Sequence, residues 1–478
     1  MPTPESLGIP SRAVLNLLER IDRERVNMHG FLLLRRGEVA AEGYWAPYTA
    51  ETRHRMYSVS KSFVSLAVGL MVDDGRISLD DPVARFFPEK LPKDPHPYVT
   101  DSTVRDLLTM ATPHSQTSYT QHDADWAWTF FNTAPSHPPG TIFSYDTAAT
   151  VVLGSIVERI AGVPFLEFMR PRMLDPIGFS SDAYCIETPE GTSWGGSGVI
   201  CTLRDMANVA LLCLQHGRWD GKQLISEEYV RAATAKQIDN SIGGNVGYGY
   251  QIWRERENGF GFRGMGTQLA MCFPDKDFIF ACISDTQGAG PTGTGVVGAM
   301  WDELHAELAD EPLAEDPAAH AALTDRIARL AVLPVDGAAT SRVRDSIAGA
   351  WYTIEPNPMG ISRMRFTFEP GAGTWEYTNA QGDKTLRFGL GRVVAGVFPQ
   401  TGYYRERIGT PSDRPYDCLA SAAWVDERTL NLSVSITDTY LGSLKASFVF
   451  KGDEIGVYMT KTAEWFLDEY EGFAGGRK

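Results

Sequence analysis

The 478-residue chain lacks the paired spacings that would mark a cysteine framework. Its six cysteines (Cys185, Cys201, Cys213, Cys272, Cys282 and Cys418) are scattered, with no Cys-x-x-Cys among them. This argues against a disulfide scaffold or a zinc site and predicts reduced, mostly buried thiols. No window is apolar for long enough to cross a bilayer, so no membrane association is expected. The first residues, Met1-Pro2-Thr3-Pro4-Glu5-Ser6, lack the basic stretch and apolar run of a signal peptide, and a cytoplasmic location is the expectation. Excess positive charge is missing too: the net charge of −16 opposes binding to nucleic acid, which rewards basic patches. His114, His122 and His137 lack metal-ligand spacing and read as surface or loop residues. No metal or cofactor is expected.

What is present is an ordinary soluble composition, 43% hydrophobic and 22% charged, over a length that suits two or three domains. Ser11 to about Glu24 carries Val14, Leu15, Leu18 and Ile21 at helical spacing. Phe31 to Arg35, a turn at Arg36-Gly37 and Val39 to Trp45 predict a hairpin. Ser58 to Asp74 is a strongly apolar helix stopped by Gly75. Thr103 with Asp106, and Thr202 with Asp205, form Thr-x-x-Asp capping patterns. From Asn245 to Asp285 aromatic and apolar runs broken by glycine predict strands, and Asp310 to Leu333 predicts a helix. Beyond it, alternating runs such as Met364, Phe366, Phe368 and Leu430, Leu432, Val434, Ile436 predict an antiparallel meander closed as a barrel or folded as a sandwich. A last helix is expected over Ala463 to Glu471. The division is therefore 1–310, a mixed α and β domain; 311–340, a linker helix; and 341–478, an all-β domain.

Ser58-Val59-Ser60-Lys61 is the chain's only Ser-x-x-Lys. A serine hydroxyl needs an adjacent base to act as a nucleophile at neutral pH. Residues three apart on a helix are neighbours, so the Lys61 amine can reach Ser58. At a helix start, free backbone N–H groups favour a developing oxyanion. A lysine in an otherwise apolar helix is costly unless it has a task.

Tyr57-Ser58-Val59-Ser60-Lys61-Ser62-Phe63 resembles the nucleophile motif of class C β-lactamases, their related esterases and the 6-aminohexanoate-dimer hydrolases. Pro139-Gly140-Thr141-Ile142-Phe143-Ser144-Tyr145-Asp146-Thr147 is similar to that family's Tyr-x-Asn motif with its preceding Pro-Gly-x-x-Phe. Gly196 to Ala207 resembles a glycine turn and helix start, and Gly247 to Trp253 a further family-like strand. The likeness runs from roughly Leu7 to Leu308. It implies an α+β (α/β sandwich) catalytic domain, with an antiparallel sheet flanked by helices. It also implies Tyr145 as the third catalytic residue, its ionised form favoured by Lys61. Phe260 to Gln268 resembles the third motif in its dimer-hydrolase version, which assigns the backbone N–H groups of Ser58 and Met265 to the oxyanion hole.

Two departures from the family pattern stand out. Thr147 replaces the asparagine of Tyr-x-Asn, and Phe262-Arg263-Gly264 replaces Lys-Thr-Gly. Both changes remove groups that read a β-lactam amide and carboxylate, so antibiotic hydrolysis is not expected. Arg263 is a candidate grip for a substrate carboxylate or a surface residue at a strand end. Thr147, Phe262, Arg263 and Gly264 are candidate substrate contacts. Asp123 to Phe131 lies where the family lines the mouth of its site, which makes Trp126 and Trp128 candidate walls, although closely spaced aromatics also build cores. Gly349-Ala350-Trp351, opening the β-meander, is similar to lipocalin-like barrels.

The expected function is serine hydrolysis of a carboxylic ester or lactone, with a bulky lactone such as zearalenone as one candidate because a hydrolase of that toxin belongs to this broad family. The alternatives are an amide hydrolase of 6-aminohexanoate oligomers or D-amino-acid peptides, with Asp123 and Asp125 holding a substrate ammonium, and a catalytically silent relative. The expected partner is a small-molecule substrate, with homo-oligomerisation left open. The absence of Gly-x-Ser-x-Gly sets the chain apart from the other common hydrolase type.

Overall fold

The computed structural model of the protein describes residues 2–240, 246–287 and 294–478, so Asn245, where the strand-rich stretch was expected to begin, lies outside the described residues. The chain divides into two compact units. One comprises residues up to Ala331 together with Glu406–Thr410; the other comprises Val332–Arg405 and Pro411–Lys478.

In the first unit, α1 (Ser11–Arg23) buries Val14, Leu15, Leu17, Leu18 and Ile21 along one face. Strands β1 (Met28–Arg35) and β2 (Glu38–Tyr44) form the hairpin. Arg36 and Gly37 both have positive φ, as a tight turn between right-twisted strands requires. A single 3₁₀ turn, Tyr57–Val59, leads into α2 (Ser60–Asp73), which is buried from Ser60 to Met71 and stops before Gly75 at φ +65°. Next come α3 (Val104–Leu108), α4 (Trp126–Asn132), α5 (Thr147–Ala161) and α6 (Leu203–Leu214). Both Thr-x-x-Asp patterns form reciprocal capping boxes at the starts of α3 and α6.

Strands β3 (Trp253–Arg254), β4 (Phe260–Gly264), β5 (Gln268–Phe273) and β6 (Phe278–Ser284) complete an antiparallel sheet ordered β2-β1-β6-β5-β4-β3. Strands β1, β5 and β6 are buried at every residue, as central strands covered on both faces must be. Helix α6 packs on these three strands, while α2, α3 and α4 gather around α5. The Tyr57–Val59 turn touches β4, so the start of α2 sits between this helical cluster and the sheet. The expected strand through Tyr248 and Tyr250 is not regular: Gln251 at φ +56° interrupts it, and strand pairing begins at Trp253. Helix α7 (Pro317–Ile327), capped by Asp316, packs on α1 within this unit, so the segment read as a linker lies in it as far as Ala331. No single described helix is long and apolar enough to cross a membrane.

The second unit is a closed barrel. Its strands are β7 (Tyr352–Ile354), β8 (Arg363–Glu369), β9 (Ala372–Asn379), β10 (Gly382–Leu390), β11 (Val394–Phe398), β12 (Tyr416–Trp424), β13 (Thr429–Thr437), β14 (Leu441–Lys451), β15 (Glu454–Ala463) and β16 (Gly472–Arg477). Pairing runs β10-β9-β8-β7-β16-β15-β14-β13-β12. Strand β12 divides one edge, giving Tyr416–Ala420 to β11 and Ser421–Ala422 to β10. The second, parallel pairing shuts a nine-stranded ring and removes its open edges. Alternate residues fill the interior: Phe366 meets Phe448 and Phe450, and Trp375 stacks on Tyr377.

The expected terminal helix is absent. Trp465 and Leu467 take positive φ, which no helix accommodates, and the Lys461 ammonium donates to the carbonyls of Ala463 and Phe466. The apolar residues there turn inward, with Phe466, Leu467 and Tyr470 buried, and the chain ends as β16.

Gly373 faces the Phe388 ring, and a Cβ there would lie 2.5 Å from it. Gly373→Val is therefore predicted to destabilise the barrel by about 1–3 kcal/mol through overpacking. Denaturant unfolding of the two proteins measures this, and an unchanged midpoint would contradict the packing described.

Candidate active site

Three local devices hold Ser58. The short strand His54–Arg55 pairs with Val199–Cys201, and the Met56 N–H donates to the Val199 carbonyl at 2.8 Å. The Val199 N–H in turn donates to Ser60 Oγ at 3.0 Å, tying the first residue of α2 to the same strand. Between them Tyr57 takes φ +47°, a conformation costly for a bulky residue and often kept at functional sites. Arg55 steadies this turn: its guanidinium donates to the carbonyl and hydroxyl of Ser197 at 2.9 Å each, and it lies 4.3 Å from the ring centroids of Tyr57 and Trp194.

Lys61 is 1% exposed in α2, where every other side chain from Ser60 to Val72 is apolar or hydroxyl-bearing. Its Nζ lies 3.1 Å from Ser58 Oγ and 2.7 Å from the Gly196 carbonyl, and 4.9 Å from the Tyr145 ring centroid. The contact with Ser58 follows from helical spacing. The contact with Gly196 comes from a loop 135 residues away in sequence. Gly196 must lack a side chain, because a Cβ there would collide with the Thr147 methyl.

Tyr145 and Thr147 stand at the start of α5. The half-buried Tyr145 hydroxyl hydrogen-bonds to Ser58. Burial pushes the phenol up to about 12, with the Ser58 hydrogen bond acting the other way. Burial thus works against the phenolate that Lys61 was expected to favour. Asp146, between them, is fully buried and caps α5 by accepting from the Ala148 N–H at 2.9 Å and from Thr112 Oγ1 at 3.2 Å. Burial pushes its carboxyl up to about 7, opposed by these hydrogen bonds and by the charge of Lys61. The Thr147 N–H donates to Thr117 Oγ1 at 2.9 Å.

The turn after β4 approaches from the sheet side. A side chain at Gly264 would collide with the Met56 carbonyl, so glycine is what lets this strand end lie against the Ser58 turn. Met265 is 40% exposed, and its carbonyl accepts from Gln268 Nε2 at 3.1 Å. Gln251, unforeseen from sequence, links the helices of the site. Its carbonyl accepts from Ser62 in α2 and its Oε1 from Thr150 in α5, while its Nε2 donates to the Leu107 carbonyl in α3, at 2.9, 2.7 and 2.7 Å respectively.

The expected substrate contacts do not all reach this centre. Trp126 is 0% exposed, stacked on Tyr119 at 4.0 Å and edge-on to Trp194 at 5.2 Å, so it is core. Trp128 lies on the outside of α4, 49% exposed. Phe262 is buried under the sheet, since alternation along β4 turns its ring inward. Arg263 is clamped by Glu255, donating from Nε and Nη2 at 2.6 and 2.7 Å, so its fork is filled. Asp125 caps α4 and pairs with Lys90, and Asp123 accepts from the amide and hydroxyl of Thr120. His114, expected at the surface or in a loop, lies in a loop but is buried, with Nε2 2.9 Å from the Phe130 carbonyl, and burial lowers its pKa. Among the described residues no cluster of three or more metal-ligating side chains occurs.

The sequence model of the beta-lactamase family matches residues 19–304, more than half of the chain. The chain belongs to the beta-lactamase family. Within it, the protein is 32% identical over 226 residues to a 6-aminohexanoate-dimer hydrolase of Paenarthrobacter ureafaciens, covering 43% of this chain and 56% of that one. It is 28% identical over 185 residues to esterase EstB of Burkholderia gladioli, covering 34% and 47%. The chain thus spans about half the length of these curated relatives. A solved structure described as a putative 6-aminohexanoate-dimer hydrolase from Bacillus anthracis matches its fold with a TM-score of 0.52 at 20% identity, over 60% of this chain and 80% of that one. Its relatives in that family are thus named as a dimer hydrolase and as an esterase.

Sequence reading missed Gln251, the Gly196 carbonyl and the capping role of Asp146, because each acts through partners remote in the chain. Two predictions follow from their geometry. Gln251→Leu strands the Thr150 hydroxyl and leaves the Leu107 carbonyl with the Met110 N–H alone, and is expected to lower stability by about 1–3 kcal/mol in denaturant titration; a change within error would remove its linking role. Asp146 ionises near pH 4 in the unfolded chain but only near 7 when folded. Wild-type stability should therefore fall, relative to Asp146→Asn, as pH rises from about 4 to 7. A difference in melting temperature that stays flat across that window would show an ordinary carboxyl.

Proposed function

We propose that this protein is a serine hydrolase that cleaves a carboxylic ester or lactone through an acyl-enzyme on Ser58. The observation that carries the reading is the Lys61 amino group, buried and 3.1 Å from the Ser58 hydroxyl. In the proposed reaction Lys61 acts as the neutral amine: Ser58 Oγ attacks the carbonyl carbon and its proton passes to Lys61 Nζ. The carbonyl oxygen, now anionic, is received by the backbone N–H groups of Ser58 and Met265. Tyr145 hydrogen-bonds to Ser58, and its phenol holds a proton in the resting site. In this scheme the phenol donates to the leaving alkoxide and recovers a proton from Lys61. Water enters by the reverse proton path and releases the acid.

The ester reading is favoured over a charged amide by how the candidate anchors are used. Arg263 is occupied by Glu255, and Asp125 by Lys90, so neither is free to hold the ends of a zwitterionic oligomer. An uncharged substrate needs neither, and a bulky lactone of the zearalenone kind falls in this class. The amide reading has its own support in the 32% identity to a 6-aminohexanoate-dimer hydrolase. Matched esters and anilides of one acyl group separate the two, and faster anilide turnover would reverse the preference.

A fluorophosphonate probe should label the protein, and Ser58→Ala should abolish labelling and reduce ester turnover by at least about 10³-fold. An unlabelled wild-type protein, beside a labelled active relative, would favour a silent binding protein instead.

A further inference from the structure

Trp253 opens β3, the edge strand of the sheet, opposite Gly261 of β4. Its indole stacks on the Tyr145 ring, with centroids 5.5 Å apart and planes inclined by 26°. Tyr248, fully buried, meets the indole edge-on at 4.9 Å and 84°, and Phe143 lies 6.1 Å away at 63°. Gln251, two residues before it, is anchored to three helices, so the backbone that carries Trp253 has little freedom. The indole is therefore held by Tyr145, Phe143 and the buried Tyr248. Trp253, Phe143 and Tyr145 are nevertheless all half-exposed. A half-exposed, clamped aromatic surface beside the phenol that touches Ser58 is unusual for mere core packing, which would bury it.

We infer that Trp253 is a specificity-determining residue whose indole, with Phe143, forms a platform for a flat aromatic ring in the acyl or alcohol part of the substrate. The inference rests on the serine-hydrolase reading of Ser58 and narrows its substrates to aryl-bearing esters. The chemistry is direct. Rigid rings bury large apolar area with little loss of side-chain entropy, and offset stacking adds to that burial. The charged groups in this region are already paired, Arg263 with Glu255 and Arg254 with the Thr234 carbonyl and Asn258, so an uncharged ring displaces no ion pair. The platform adjoins Tyr145, so a ring bound there sits next to the proton donor of the proposed reaction. This differs from the wall expected at Trp126 and Trp128, of which the first is core and the second lies on the exposed face of α4.

The test compares Trp253→Phe and Trp253→Leu with wild type on two esters with a methanol leaving group, methyl phenylacetate and methyl butyrate, followed by pH-stat. Leucine keeps an apolar side chain to fill the site and removes the π-face; phenylalanine keeps the face. The ratio of kcat/KM for aryl over alkyl ester should fall about five- to tenfold in Trp253→Leu and stay within about twofold of wild type in Trp253→Phe. A ratio unchanged in Trp253→Leu overturns the platform. Equal losses on both esters in the two variants also overturn it, and assign Trp253 to positioning Tyr145 instead. Labelling of Ser58 by a small alkyl fluorophosphonate should stay within about threefold of wild type in both variants. If wild type itself resists that label, the serine-hydrolase reading fails, an outcome separate from the platform's own.

Discussion

A lysine amino group without bulk water is the constraint around which the first unit is arranged. Lys61 sits in a helix whose other side chains as far as Val72 are apolar or hydroxyl-bearing, and a polar amine there is tolerated only where oxygen atoms receive it. One oxygen, the Ser58 hydroxyl, is supplied by the same helix start. The other, the Gly196 carbonyl, is supplied by a loop distant in sequence, and it arrives only because Gly196 has no side chain to strike the Thr147 methyl. The strained Tyr57, the Arg55 clamp on Ser197 and the Gln251 bridge among three helices all hold these two oxygens where the amine needs them.

The electrostatics of the centre follow from the same exclusion of water. Burial raises both the Tyr145 phenol and the Asp146 carboxyl, favouring their neutral forms. A neutral phenol suits donation to a leaving group better than abstraction from serine, which shifts the base role of the proposed scheme towards Lys61. Outside this centre, charge is consumed in pairs such as Arg263 with Glu255 and Lys90 with Asp125. Next to Tyr145, Trp253 adds a half-buried aromatic surface at the sheet edge.

The barrel obeys a different logic. Many of its strands alternate inward and outward along the sequence, and that period of two is visible in runs such as Met364, Phe366, Phe368 and Leu430, Leu432, Val434, Ile436. Closure is not visible in the same way. It depends on β12 offering its edge to β11 over one half and to β10 over the other, a change of partner that no local pattern encodes. The missing terminal helix is a related case: Ala463 to Glu471 has helix-compatible residues, but burial of Phe466, Leu467 and Tyr470 and the donations from Lys461 dictate an irregular turn.

Local chemistry determined what could be read from the chain alone. The Ser58–Lys61 spacing, both capping boxes, the Arg36-Gly37 turn and the barrel's alternation each depend on residues a few positions apart, and short-range geometry makes such features legible. Which aromatic residues are core and which are wall was decided only by tertiary packing. Trp126, Phe262 and Trp253 are equally apolar as letters, yet two are enclosed and one is left half-open beside Tyr145. The same holds for charge. Arg263 was a free cation in sequence and became half of an ion pair once β4 brought it to Glu255, because an electrostatic partner is defined by distance in space and not along the chain.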